Sequence, residues 1–352
     1  MLGWLSDAQM VALVGAVGGV MLGLAARLGR FCTLGAIEDL LYGGSSVRMR
    51  MWGLAIGTAI IGSFSLMGSG LLDASDTYYL SLRWMPAASV VGGLMFGYGM
   101  ALAGNCGFGA IARLGGGDLR AFVIVLVLGL STFAVMTGSF AVLRDTIFHQ
   151  SEVTTETVPG LAHYFADLTG LSVAGIGISI GLAICIAALW SADLRADTNA
   201  MFWAVVVGLA IVSGWAGTQW VRNTGFDDLP VVSHSFSAPV GETLLFAMTA
   251  SVRPISFAVG SVAGVWIGAF IGSLIKGHFR WEACDDPREL RRQIIGAAIM
   301  GAGAVIAIGC TVGQGLSAFS VLSFSAPVTF VSIFVGAAVG LRQLIEGFSI
   351  AE

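Results

Sequence analysis

The sequence predicts an all-α integral membrane protein with about nine transmembrane helices and four re-entrant half-helices in two inverted repeats. Three observations predict it. The chain is too apolar for a soluble domain. Its apolar runs come in two lengths, one able to cross a bilayer and one too short. The order of long and short runs occurs twice.

Hydrophobic residues make up 56% of the 352 residues and charged residues 11%, with a mean hydropathy of +0.88. A soluble domain carries about 25% charged residues. Glycine, at 50 residues, is about twice its usual ~7% share, which in a membrane protein favours close helix packing and broken helices. The net charge of −4 supplies no basic field for nucleic acid. Five cysteines, an odd number mostly within apolar runs, do not make a secreted disulfide framework. The N-terminus lacks a basic region and a small-residue cleavage site, so its first apolar run is expected to be a retained span.

Runs long enough to cross, ~20 residues, lie near 8–28, 51–72, 86–104, 118–143, 171–190, 199–220, 255–275, 291–309 and 326–345. Four shorter pieces, 31–42, 107–114, 236–248 and 314–324, read as re-entrant half-helices. Irregular backbone at membrane depth persists only inside protein or along a cavity.

With the N-terminus outside, 13 of the 17 Lys and Arg fall on the cytoplasmic side, leaving Arg83, Arg144, Arg222 and Arg253 outside. That bias places the N-terminus in the periplasm, the C-terminus in the cytoplasm and the acidic stretch from Arg144 to Asp167 outside. The order span, half-helix, span, span, half-helix, span occurs in 8–143 and again in 199–345. A shift of 204 positions brings Cys106-x-x-Gly109 onto Cys310-x-x-Gly313, and Glu38 onto Glu242. One intervening span inverts the second copy. The expected organisation is therefore a first repeat at 1–143, an external loop with a linking helix at 144–198, and a second repeat at 199–352. Transporters built this way hold substrate at the midplane between broken helices.

Cys-x-x-Gly occurs three times, at Cys32–Gly35, Cys106–Gly109 and Cys310–Gly313, each time opening a short piece. Around two of them run Gly104-Asn105-Cys106-Gly107-Phe108-Gly109 and Gly309-Cys310-Thr311-Val312-Gly313-Gln314-Gly315. Glycine brings backbone N–H groups close to a ligand, and a helix N-terminus suits an anion. The bland alternative is a tight helix turn with cysteine as a small buried hydrophobe. Two copies at symmetry-related positions weigh against it. Cys32 has as its counterpart the run Ser235-Phe236-Ser237-Ala238-Pro239, which holds hydroxyls but no thiol.

Cys185, midway along a span, reads as packing. Cys284, near His278, lacks the further ligands that zinc needs, so no metal and no cofactor is expected. Glu38, Asp39 and Glu242 are ionisable groups in half-helices, where charge is expensive. They either carry protons or pair with Arg27, Arg30 or Arg253, and pairing is the expectation. His149 and His163 belong to the external loop, and His234 is an entrance candidate.

These residues resemble the YeeE/YedE family of sulfur-compound transport proteins, which includes thiosulfate transporters. The resemblance rests on Gly104–Gly109 and Ile308–Gly315, supported by Arg30–Ala36 and Ser235–Pro239, and follows nearly the whole chain in order and spacing. It implies a bacterial inner-membrane protein whose paired loop cysteines, Cys106 and Cys310, line the route of thiosulfate or a related sulfur anion. Cys32 is the candidate for a further pathway cysteine, while the second half carries Ser237 there. Asn105, Gly107, Gly109, Gly309, Gly313 and Gln314 complete the candidate pathway. Protonated thiols would face the soft sulfur of the dianion, which a thiolate would repel. The partners implied are the anion, the bilayer and a cytoplasmic sulfur-carrier or regulatory protein. Two alternatives remain open at this point: a membrane sensor of sulfur anions, and uptake of a selenium compound. No His or acid is paired in sequence with a cysteine to generate a thiolate, so no enzyme is expected.

Overall fold

The computed structural model describes residues 6–148, 160–283 and 286–347, and these contain helices and no strand. The first half comprises α1 (Asp7–Leu28), α2 (Thr33–Leu41), α3 (Val47–Gly68), α4 (Pro86–Ala103), α5 (Gly107–Gly115) and α6 (Leu119–Met136). A middle section holds α7 (Ala141–Ile147), α8 (Leu161–Thr169), α9 (Val173–Leu189) and α10 (Ala192–Ala196). The second half comprises α11 (Thr198–Thr224), α12 (Ala238–Thr249), α13 (Phe257–Ile275), α14 (Pro287–Ile306), a π-helix (Gly313–Ala318) and α15 (Ser325–Glu346).

Local sequence explains the helix starts. Ser6 and Gln9 close a capping box on α1, while Asp118, Ser172, Ser256 and Asp286 cap α6, α9, α13 and α14. Proline stands in the first turn of α4, α12 and α14, where its missing N–H costs no intrahelical bond. The chain is an all-α membrane protein. Among the described residues seven helical segments are long and apolar enough to cross a bilayer, or eight if α8 and α9, bent by 120°, count as one. The sequence-based figure of about nine also includes α14, whose opening turns carry Arg288, Glu289, Arg291 and Arg292.

Two of the expected re-entrant pieces behave differently. α2 and α5 prolong the helices before them, giving broken spans Asp7–Leu41 and Pro86–Gly115 of 35 and 30 residues. One left-handed residue, Arg30 (φ 56°) or Gly104 (φ 78°), interrupts the hydrogen-bond ladder at each break. The chain does not fold back there.

Glycine sets how the long helices meet. Gly15, Gly19 and Gly23 of α1 lie on the backbone of α13 near Phe257, Ser261 and Val265, and Gly260, Gly264 and Gly268 return the contact to Ala12, Ala16 and Val20. Rising numbers pair with rising numbers, so α1 and α13 are parallel. Lipid tails supply no hydrophobic drive between helices, so this backbone approach supplies the packing. By the same reading α4 is parallel to α15, through Gly93 and Gly97, and antiparallel to α14, through Gly92 and Gly99.

The packing pattern maps onto itself when α1 to α6 are exchanged for α11, α12, α13, α14, the π-helix and α15. α1 packs on α13 as α11 packs on α3, and α4 on α15 as α14 on α6. α6 meets α12 as α15 meets α2, and α5 meets α13 as the π-helix meets α3. The pairs α1–α11 and α4–α14 cross the exchange. α9 lies outside it, against α3. Trp52, Trp215, Phe64, Phe96, Phe108 and Phe236 are fully buried in the interior. Leu130, Ile186 and Val331 face outward, with Trp190 and Trp220 exposed near helix ends, as at a membrane boundary.

Candidate functional site

Each of the three Cys-x-x-Gly cysteines stands two residues after a left-handed backbone position. Arg30 (φ 56°) precedes Cys32, Gly104 (φ 78°) precedes Cys106, and Ile308 (φ 54°) precedes Cys310. Cys32 and Cys106 are the N-caps of α2 and α5, and Cys310 directly precedes the helical stretch 311–320 that contains the π-helix. Left-handed backbone costs a non-glycine residue about 1–2 kcal/mol, so Arg30 and Ile308 are held there by their surroundings. At Ile308 the hold is visible. Gln314 Nε2 donates to the carbonyls of Ala307 and Ile308, at 2.9 Å each, and its Oε1 accepts from Ser325 at 3.1 Å. Ser237 stands at the N-cap position of α12 without a side-chain bond to it, so the fourth short helix also begins with a small polar residue.

The loops come together. Cys106 and Cys310 are each 1% exposed, Cys32 is half-buried, and Cys106 lies within electrostatic reach of both other thiols and beside the Thr311 hydroxyl. Cys310 sulfur accepts N–H bonds from Phe236 at 3.2 Å and Gly313 at 3.3 Å, with the Ser235 hydroxyl at 3.6 Å. Cys106 sulfur accepts from the Gly109 N–H, at 3.4 Å. Phe236 links the two: its ring lies 5.3 Å from that of Phe108, and a Cβ on Gly107 would stand 2.6 Å from its carbonyl oxygen. On the Cys32 side, Phe31 stacks on Trp52 at 4.7 Å, and Trp52 leans on Phe330 at 5.5 Å.

A cavity of about 620 Å³ leads to this centre from the end that holds the N-terminus of α1. Ser233, Ser235, Ser237, Tyr79 and Gly309 are among its lining residues, and Arg144 and Arg253 are its cations. The Tyr79 hydroxyl reaches the foot of the Cys310 loop, where a Cβ on Gly313 would stand 2.7 Å from it and 2.8 Å from Ser235 Oγ. Sequence reasoning missed Tyr79, which lies between α3 and α4, where an aromatic residue is ordinary at a membrane boundary. In the sequence Arg144 reads only as an external charge, and Arg253 as an external charge or a partner for an acid.

The ionisable groups separate. Glu242 lines the cavity and accepts a 2.6 Å bond from Ser256, not from Arg253. Asp39 pairs with Arg48 through two contacts, one to Nη2 at 2.7 Å, and not with Arg27 or Arg30. Arg30 and Arg48 are equally distant in sequence, but Arg48, in the first turn of α3, lies back over α2 against Gly35 and so meets Asp39. Glu38 is exposed. His234 is no entrance group: it is fully buried, outside the cavity lining, with Nδ1 2.6 Å from Ser261 Oγ. His163 is half-buried in α8. Cys185 packs at Gly57 of α3. His149 and Cys284 lie outside the described residues. Among the described residues no three His, Cys, Asp or Glu side chains gather as metal ligands.

Away from the cavity, Lys276 follows α13 and donates to the carbonyls of Arg27 and Leu28 at 3.0 and 3.1 Å. Burial, then the charges of Arg30 and Arg27, lower its pKa.

Comparison with known proteins places this geometry in context. The profile described as Sulphur transport matches residues 28–339. The thiosulfate transporter TsuA of Escherichia coli (strain K12) is 25% identical over 342 residues, covering 92% of this chain and 92% of that protein. The thiosulfate transporter TsuA of Spirochaeta thermophila is 24% identical over 323 residues, covering 90% of this chain and 94% of its own length.

Proposed function

The chain belongs to the Sulphur transport family, and on that premise we propose that it imports thiosulfate, or a related small sulfur anion, across the bacterial inner membrane. The relatives' printed activity supports the substrate. The observation that carries the reading is the convergence of short-helix N-termini bearing Cys32, Cys106, Ser237 and Cys310 beneath a cavity that holds two arginines. The N-terminus is periplasmic, the C-terminus is cytoplasmic, and the two halves, 1–143 and 199–352, are inverted repeats. The self-mapping packing pattern supports that arrangement.

In this reading Arg144 and Arg253 draw the dianion into the cavity, and the hydroxyls of Tyr79, Ser235 and Ser237 receive it. The anion then passes Cys310, Cys106 and Cys32 in turn. Bare burial of an ion costs tens of kcal/mol. A helix N-terminus offers at most ~2 kcal/mol, and a hydrogen bond to a charged group about 1.5–3 kcal/mol. Helix ends alone therefore fall short, and passage needs several hydrogen-bond donors along the route. A thiol is a weak donor, which helps passage, because a conducting site must release as well as bind. No covalent bond to the protein is required, and on this reading the protein is not an enzyme. A cytoplasmic sulfur-carrier protein would take the anion on exit.

Radiolabelled thiosulfate uptake into proteoliposomes tests the proposal. Accumulation that depends on the protein is expected. Binding without accumulation would make the chain a sensor, and preference for a selenium analogue would change the cargo.

A further inference from the structure

Next in the chain to each of the three cysteines stands a buried polar side chain with no hydrogen bond. Thr33 follows Cys32, Asn105 precedes Cys106, and Thr311 follows Cys310. Thr33 and Asn105 are each 2% exposed and Thr311 is 0% exposed. The hydroxyl oxygens of both threonines, and the oxygen and nitrogen of the Asn105 amide, have no partner of hydrogen-bonding geometry. Thr311 lies close enough to Cys106 for the two groups to interact, although its hydroxyl completes no bond of good geometry. Folded proteins pair nearly all such groups, so an unpaired one asks for a ligand or a function. Valine or leucine would fill these positions at no polar expense. Asn105 stands out because its whole amide is unsatisfied.

We propose that Thr33, Asn105 and Thr311 form a row of hard donors beside the thiols, binding the sulfonate oxygens of the passing anion while the thiols face its terminal sulfur. This rests on the transport reading above and deepens it. The pathway then selects an anion with one soft and one oxygen-rich end. Sulfate offers the thiols nothing soft, and hydrosulfide offers the hydroxyls no oxygens. Thr311 belongs to the Cys310 helix yet lies near Cys106, so it is the side chain placed between one thiol and the next.

The test uses the full-length chain, with uptake of sodium thiosulfate in proteoliposomes and thermal melting in detergent with and without thiosulfate. Thr311→Val and Thr33→Val keep side-chain shape and remove the hydroxyl. Both are expected to lower uptake at least tenfold and to abolish the thiosulfate-dependent rise in Tm, while Tm without the anion stays level or rises. Thr311→Ser is expected to restore uptake. Thr329→Val serves as the control: Thr329 is also buried with an unpaired hydroxyl, but it belongs to α15 and to none of the three Cys-x-x-Gly segments, and its uptake should not change. A clear fall in Tm of anion-free Thr311→Val would mean that the hydroxyl is structural and would overturn the proposal. So would uptake at the unmodified rate in Thr311→Val and Thr33→Val, or an equal loss in Thr329→Val. If the unmodified protein accumulates no thiosulfate, the transport reading falls and this inference with it. If it accumulates thiosulfate and the valine variants match it, only this inference falls.

Discussion

The backbone N–H of Phe236 donates to the sulfur of Cys310 at 3.2 Å, so the segment leading into α12 is tied directly to the cysteine loop after α14. The two residues are 74 positions apart. The Phe236 ring also lies against Phe108, two residues beyond Cys106. Phe236 therefore sets the spacing between the buried thiols.

Truncating that link should be costly. Phe236→Ala removes a fully buried aromatic side chain, and such cavities cost about 3–5 kcal/mol. A large fall in Tm in detergent is expected, together with loss of uptake. Phe236→Leu should recover most of the Tm. An unchanged Tm in the alanine variant would show that the ring does not hold the centre together.

The thiols are tested by a minimal change of element. Cys106→Ser and Cys310→Ser keep a donor of similar size, and each is expected to lower thiosulfate uptake at least ~tenfold, a change of about 1.4 kcal/mol, with the protein still folded. Near-normal uptake in both would sink a thiol-lined pathway.

Charge at the cavity should act on capture more than on turnover. A unit charge and a dianion about 8 Å apart in water-like dielectric attract by about 1 kcal/mol, roughly fivefold in affinity. Arg144→Gln and Arg253→Gln are each expected to raise the half-saturation concentration by that order and to weaken its dependence on ionic strength. An unchanged half-saturation concentration at low salt would remove both arginines from the entry route.

Gly313 should not tolerate even a methyl group. A Cβ there would stand 2.7 Å from the Tyr79 hydroxyl and 2.8 Å from Ser235 Oγ. Gly313→Ala is expected to depress uptake strongly, and Tyr79→Phe in the same chain to restore part of it. Measuring all combinations as a double-mutant cycle gives the coupling. Strict additivity would mean that Tyr79 does not press on the Cys310 loop.

Much of this arrangement is local and therefore readable along the chain. A helix crosses lipid because its backbone groups must pair internally, so long apolar runs mark spans without reference to any neighbour. The breaks at Cys32, Cys106 and Cys310 are local too, since each needs one left-handed residue and a short polar pause. The course of the chain after a break is less local. α2 and α5 continue forward where length alone suggested a return, because the direction depends on what packs beside them.

Partners lie beyond that reach. Asp39 was expected beside Arg27 or Arg30 and takes Arg48; His234 was expected at an entrance and is sealed against Ser261. Tyr79 carries no motif, and it matters only because α4, α14 and the loop before α12 fold around it. By itself the sequence determined that this is an all-α membrane protein, where its helices break and which thiols stand at the breaks, because hydropathy and backbone conformation act over a few residues. The tertiary structure alone decided which residues, up to two hundred positions apart, face those thiols. Side-chain contacts in a close-packed interior depend on where whole helices lie, and helix placement is set by the glycine seams acting together.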